Sequence, residues 1–153
     1  MHINRRTFGS AIACASAAGL LAPNAWAQKP LVLGFSQVGA ESEWRTANTE
    51  SIKSAAKEAG IELKFSDAQQ KQENQIKAIR AFIAQKVDVI AFSPVVESGW
   101  EPVLREAKAA KIPVVLTDRA VNTKDTSLYV TFMGSDFVEE GRKAGRWLVE
   151  KMK

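Results

Sequence analysis

From residue 31 onward, short apolar runs alternate with segments of helical period, and this alternation constrains the fold more than any other feature of the chain. The runs cover residues 31–35, 61–66, 87–92, 113–117 and 129–133. Between them, 44–59 carries Ile52, Ala55, Ala56 and Ala59 at i, i+3, i+4, i+7, with Gly60 placed as a helix stop. Residues 67–70 read as a turn. The helix that follows runs to Gln85 on a stripe of Ile76, Ile79, Phe82 and Ile83. Residues 101–110 present Val103, Leu104 and Ala107, with Pro102 in the first turn, where its missing N–H is harmless. Ser135 or Asp136 opens a last helix with Gly141, Ala144, Gly145 and Leu148 on one face. Strand–helix units joined this closely imply a parallel sheet with right-handed crossovers and helices on both faces. The 61–66 run alternates apolar and polar residues, which places it towards a sheet edge, whereas 87–92 is mostly apolar, as a strand covered on both faces should be.

Residues 1–27 stand outside this pattern. Arg5 and Arg6 form a twin-arginine pair, an alanine-rich apolar stretch follows, and Ala25-Trp26-Ala27 offers small residues where a signal peptidase reads. The stretch is shorter than the roughly 20 apolar residues of a transmembrane span. A cleaved export signal is therefore expected, and with it a periplasmic location. Cys14 is not read as a lipoprotein site, because Ala11 stands where Leu or Val is expected.

Removal of that leader changes the chemistry available. Lys plus Arg falls from 21 to 19 with the loss of Arg5 and Arg6, all 17 acids stay, and the net charge drops from +4 to +2. No basic face emerges that would serve nucleic acid. The only Cys and the only His, Cys14 and His2, leave with the leader. Disulfides, a cysteine nucleophile, a serine–histidine pair and His/Cys metal sites are thereby excluded. No G-x-G-x-x-G follows the first strand and no phosphate loop is present, so neither a cofactor nor a metal is expected.

The richest local signal is LVLGFSQVGAESEWR, where the first strand runs into a glycine-bearing loop and a helix begins near Glu43. Open α/β sheets bind ligands where strands end and helices begin. Here the loop carries a carboxylate, an indole and a guanidinium (Glu41, Trp44, Arg45) within five positions, a set suited to a polyhydroxylated molecule. Asp118-Arg119 stands directly after the fourth strand. Plainer readings stand beside these. Trp44 also serves as an apolar anchor on the sheet, Asp118-Arg119 as a surface ion pair, and Glu41 and Glu43 as partners of a helix N-terminus. Ser93 and Ser135 read as caps, Trp100 as helix packing, and Tyr129 and Phe132 as sheet residues. Ser36 and Gln37 lie beside the site, within reach of a ligand or simply as loop structure.

GFSQVGAESEWR, DAQQKQENQIKAIRAFIAQKVDVI, SPVVESGWEPVLREAKAAKIPVVLTDR and MGSDFVEEGRKAGRWL together resemble the bacterial periplasmic sugar-binding proteins of the ribose/galactose type, and within them the galactofuranose binders. The resemblance covers residues 29–153. It implies a type I periplasmic binding protein fold with flavodoxin-like strand order, in which two lobes close on a monosaccharide and deliver it to an ABC-transporter permease. A monomer is expected. Family members run to about twice this length, two lobes of ordinary domain size. Residues 28–153 are therefore expected to be the first lobe, with the second absent, as a fragment or a truncated product. By position, the family pattern implies ligand contacts at Glu41, Ser42, Glu43, Trp44, Arg45, Asp118 and Arg119. The family has a small residue at position 43, so the Glu43 carboxylate narrows the pocket or changes which hydroxyl is read. Hydrogen bonds to charged groups of this kind contribute about 1.5–3 kcal/mol each. Two other functions fit the same residues: a sugar receptor for chemotaxis or a sensor kinase, and a sugar-modifying enzyme using Asp118 and Glu41 as acid and base. An effector domain of a transcription factor shares the fold, but the leader and the lack of a DNA-binding helix pair exclude it.

Overall fold

The computed structural model describes residues 29–152, so the expected export signal lies outside the described residues. Five parallel strands form one sheet in the order β2-β1-β3-β4-β5, the flavodoxin-like order expected. They are β1 (Val32–Gln37), β2 (Glu62–Asp67), β3 (Val89–Phe92), β4 (Val114–Thr117) and β5 (Thr131–Met133). β2 lies at an edge, as its alternating pattern required. The helices are α1 (Glu43–Glu58), α2 (Gln72–Ala84), α3 (Glu101–Ala109) and α4 (Phe137–Lys151), with a short 3₁₀ turn, Thr126–Leu128, ahead of β5.

The core is concentrated on one face of the sheet. Val32, Ile90, Phe92, Val114 and Leu116 meet Ile79 and Phe82 of α2 and Val103, Leu104 and Ala107 of α3. Trp100 is buried against Phe92, their ring centroids 4.9 Å apart, and its indole N–H donates to the Val96 carbonyl at 2.6 Å. Arg80 ties α2 to α3 through Glu106 at 2.7 Å. That hydrogen bond holds the Glu106 carboxyl below its ordinary range. The contribution of this tie is present above the ordinary glutamate range and is lost as pH falls through the depressed value.

The opposite face is covered differently from the sequence expectation. Of the anticipated α1 stripe only Ala56 is buried; Ile52 is half-buried, and Ala55 and Ala59 are exposed. α1 lies beside an open groove of about 580 Å³, floored by Leu33, Phe35, Val89, Ala91 and Val115. No described element lies across from it there. The small-residue face of α4 is likewise uncovered, since α4 buries none of its residues. The helix nevertheless starts as its sequence dictates: Asp136, rather than Ser135, is the cap, accepting from Glu139 N–H at 2.9 Å.

Helices α1, α2 and α3 end in one motif. The residue after each C-cap takes a positive φ (Gly60 66°, Lys86 53°, Lys111 59°), and the next N–H reaches back to the carbonyl of Ala56, Phe82 or Ala107. Gly60 adopts this conformation freely, whereas a lysine there is strained by about 1 kcal/mol. Lys111→Gly is expected to stabilise the protein by up to that amount, read as a higher urea midpoint with unchanged slope.

Candidate functional site

The loops that leave the C-terminal ends of β1, β3, β4 and β5 converge at one edge of the sheet. β1 runs two residues beyond the expected boundary, which makes Ser36 and Gln37 buried strand residues rather than loop residues. After the turn at 38–41, Ser42 caps α1, its hydroxyl accepting from Arg45 N–H at 3.2 Å. The cap sets the first turn of α1 so that Glu43, Trp44 and Arg45 follow one another in different directions.

Arg45 turns inward and is only 4 % exposed. Its Nε donates to Glu41 Oε1 at 3.2 Å, and its Nη1 lies 3.3 Å from Gln37 Oε1 and 2.9 Å from Asp118 Oδ2. A buried guanidinium is tolerable only when paired and hydrogen-bonded in this way. Trp44 remains 55 % exposed, which rules out the role of a buried anchor. Its ring centroid lies 4.8 Å from the Arg45 guanidinium carbon, so the indole stands beside the cation with open surface.

Asp118 comes from the far side of the site, directly after β4. It adopts φ +64°, and Arg119 N–H bonds back to the Thr117 carbonyl at 2.7 Å, closing a three-residue turn of the strained, positive-φ kind. Strain of this sort costs about 1–3 kcal/mol and persists where the surroundings impose it. Two neighbours do so here. Asp118 N–H donates to the Met133 carbonyl at 2.8 Å, and Gly134 leaves room for the turn, because a Cβ there would lie 2.7 Å from the Asp118 carbonyl oxygen. Arg119 is 3.8 Å from the Asp118 carboxylate, and its Nη1 donates to the Val95 carbonyl at 3.3 Å. The pair is therefore not an isolated surface bridge, since the shorter contact of Asp118 is with buried Arg45.

Glu41, Trp44, Arg45, Asp118 and Arg119 thus belong to one cluster. Glu43 is exposed and lines a shallow recess of about 490 Å³ with Ala40, Ser42, Thr46 and Ala47, which the other charged members of the cluster except Glu41 do not line. Ser93 is not a helix cap: it is buried, with its hydroxyl 3.0 Å from that of Thr117, and thereby links β3 to β4. Among the described residues no group of three His, Cys, Asp or Glu side chains is arranged to hold a metal.

Two supporting residues were missed or undervalued in the sequence. Gln75 is fully buried; its Nε2 donates to the Ser93 carbonyl at 2.7 Å, and its Oε1 accepts from Val95 N–H at 3.0 Å, so it fixes the loop after β3. Its signal was a polar residue on the apolar stripe of α2, i and i+4 with Ile79. Gly134 is the other: a Cβ there would meet the Phe132 ring, two residues earlier, at 2.5 Å and the Asp118 carbonyl oxygen at 2.7 Å.

Residues 33–153 match the family model described as "Periplasmic binding protein domain". The chain belongs to this family. It is 58 % identical over 123 residues to the galactofuranose-binding protein YtfQ of Escherichia coli (strain K12), covering 80 % of this chain and 39 % of that protein. Among solved structures, a Mycobacterium smegmatis protein in complex with β-D-fucofuranose is 68 % identical with a TM-score of 0.77, covering 79 % of this chain and 40 % of that one. The periplasmic binding protein component of the arabinose ABC transporter from Shewanella sp. ANA-3, bound to α- and β-L-arabinofuranose, is 63 % identical with a TM-score of 0.76 and the same coverage. The chain thus spans about two fifths of the length of these relatives. The Escherichia coli and Shewanella relatives are named as binding proteins, and the α/β fold with a five-stranded parallel sheet expected from the resemblance is the one observed.

The Arg45–Asp118 contact is expected to be the main electrostatic tie across the site. Asn tolerates the left-handed turn, so Asp118→Asn removes charge while keeping the turn. It should destabilise the protein by about 3 kcal/mol, the lower end of the cost of removing one partner of a buried ion pair, measured by urea unfolding.

Proposed function

We propose that this protein serves as the solute-binding component of a sugar ABC importer, taking a monosaccharide of galactofuranose type and presenting it to a membrane permease. The observation that carries this reading is the exposed indole of Trp44 set beside buried, neutralised Arg45 and the strained Asp118 turn. A sugar ring offers C–H patches to an aromatic face and hydroxyls to a carboxylate and guanidinium forks. The names of the relatives support the same class of ligand. In this reading Glu41, Ser42, Glu43, Trp44, Arg45, Asp118 and Arg119 surround the ligand, Trp44, Asp118 and Arg119 directly. Ser42 acts through the helix it caps, and Glu43 reaches a substituent lying over its recess. Residues 28–153 form the first lobe and supply one wall of the cleft. Residues 1–27 carry the chain to the periplasm by the twin-arginine route, and the exported protein acts as a monomer.

For residues 28–153 taken by themselves, which offer a ligand one wall, affinity is modest. Two or three charged hydrogen bonds, less the cost of fixing the ligand, correspond to a Kd on the order of millimolar. Titration with L-arabinose and D-galactose, followed by amide and indole shifts in NMR, should give saturable changes at Trp44 and around Asp118. Trp44→Ala should weaken binding at least about tenfold while leaving unfolding stability within about 0.5 kcal/mol, as for an exposed side chain. No saturable shift with either sugar overturns the reading.

A further inference from the structure

Gln37 is the most completely engaged polar side chain near the site, and a ligand cannot reach it. It is 0 % exposed at the tip of β1. Its Nε2 donates to Asn48 Oδ1 at 2.9 Å and to Thr49 Oγ1 at 3.1 Å, both on α1. Its Oε1 accepts from Val38 N–H at 3.0 Å and from Arg45 Nη1 at 3.3 Å. These four contacts use both donors and both acceptor positions of the amide. Its orientation is fixed by chemistry as well as by packing. A flipped amide would set its NH₂ against a backbone N–H and a guanidinium, neither of which accepts.

We infer that Gln37 is a positioning residue that pins the Arg45 guanidinium beside Asp118 by taking the Nη1 hydrogen bond. A free arginine and carboxylate favour a two-oxygen fork. Here Glu41 occupies Nε and the Nη1 hydrogen bond goes to Gln37, while Asp118 Oδ2 lies 2.9 Å from Nη1 and 3.8 Å from Arg119 Nε without making a hydrogen bond. Nη1 is thereby held between Gln37 Oε1 and the Asp118 carboxylate, and because its hydrogen bond goes to Gln37, the carboxylate's acceptor capacity is left to a ligand hydroxyl. A neutral amide suits this task better than an acid, because Glu41 and Asp118 already balance Arg45 and Arg119, and a further buried carboxylate would be uncompensated. The benefit to a ligand rests on the sugar-binding reading above; the clamp on Arg45 does not.

The test separates the two. NMR line shapes of the Arg45 side chain report rotation about its Nε–Cζ bond, which is slow while Nη1 is held. In Gln37→Leu this rotation should quicken at least about tenfold, with the strand amides still protected from exchange. L-arabinose and D-galactose should bind about tenfold more weakly, the scale of one hydrogen bond to a charged group. In an Arg45→Lys background the same substitution should cost no further affinity, since its effect passes through the guanidinium. Asn48→Ala, which loosens Gln37 from a half-buried position, should quicken the rotation to a smaller degree and serves if the leucine variant does not fold. Unchanged rotation in both variants overturns the inference. Faster rotation with unchanged sugar affinity overturns the role in binding. Faster rotation in a protein whose wild type binds neither sugar leaves the clamp standing and removes the sugar reading instead.

Discussion

The buried guanidinium of Arg45 is the constraint from which the geometry of the site follows. A cation at 4 % exposure carries a desolvation penalty of several kcal/mol unless its protons are matched. The matching groups come from three places: Gln37 at the end of β1, Glu41 in the loop, and Asp118 after β4. Satisfying one side chain therefore fixes the entry of α1, the path of the first loop and the sharp turn at Asp118 together. The strain at Asp118 is intelligible on the same grounds. An extended or helical residue would direct its carboxylate elsewhere, and Arg45 would lose its closest partner.

The distribution of apolar packing explains why such an arrangement holds. α2 and α3 fill one face of the sheet with Ile79, Phe82, Leu104 and Trp100, and the strands that carry the site loops are anchored through that face. The other face keeps α1 in place with fewer apolar contacts, and polar ones take over near the site, where Gln37 joins Asn48 and Thr49. The orientation of α1 is therefore set as much by hydrogen bonds at its N-terminal half as by burial of Ala56. Since Trp44 and Arg45 both ride on this helix, the indole and the guanidinium move together or not at all.

Much of this was legible in the sequence, and the failures share a cause. Apolar runs and helical stripes record burial along a single element, so the strands, α2 and α3 and the edge position of β2 were readable. The family resemblance added the site loops. What escaped depends on contacts between elements. Ser93 looked like a cap because its partner Thr117 lies on another strand. The stripe of α1 looked buried because nothing in a stripe says whether a neighbouring helix fills the space beside it. Gln75 and Gln37 are buried glutamines whose importance lies in loops and side chains distant in sequence. The left-handed turn at Asp118 has no local signature at all, because the residue that permits it, Gly134, stands across the sheet on the next strand connection.

The same contacts also set how the two carboxylates of the cluster are held. Acid–base catalysis by two carboxylates needs environments that set one apart as the proton donor and the other as the acceptor. Glu41 hydrogen-bonds Arg45 Nε through Oε1, whereas Asp118 stands beside Arg45 Nη1 and Arg119 with Oδ2 buried and unbonded, so both serve as counter-charges to guanidinium groups. Two positive and two negative groups balance across the cluster, and a neutral ligand rich in hydroxyls can exchange its water for them without leaving a charge unpaired. A charged ligand would upset a balance that Gln37, by being an amide rather than an acid, preserves.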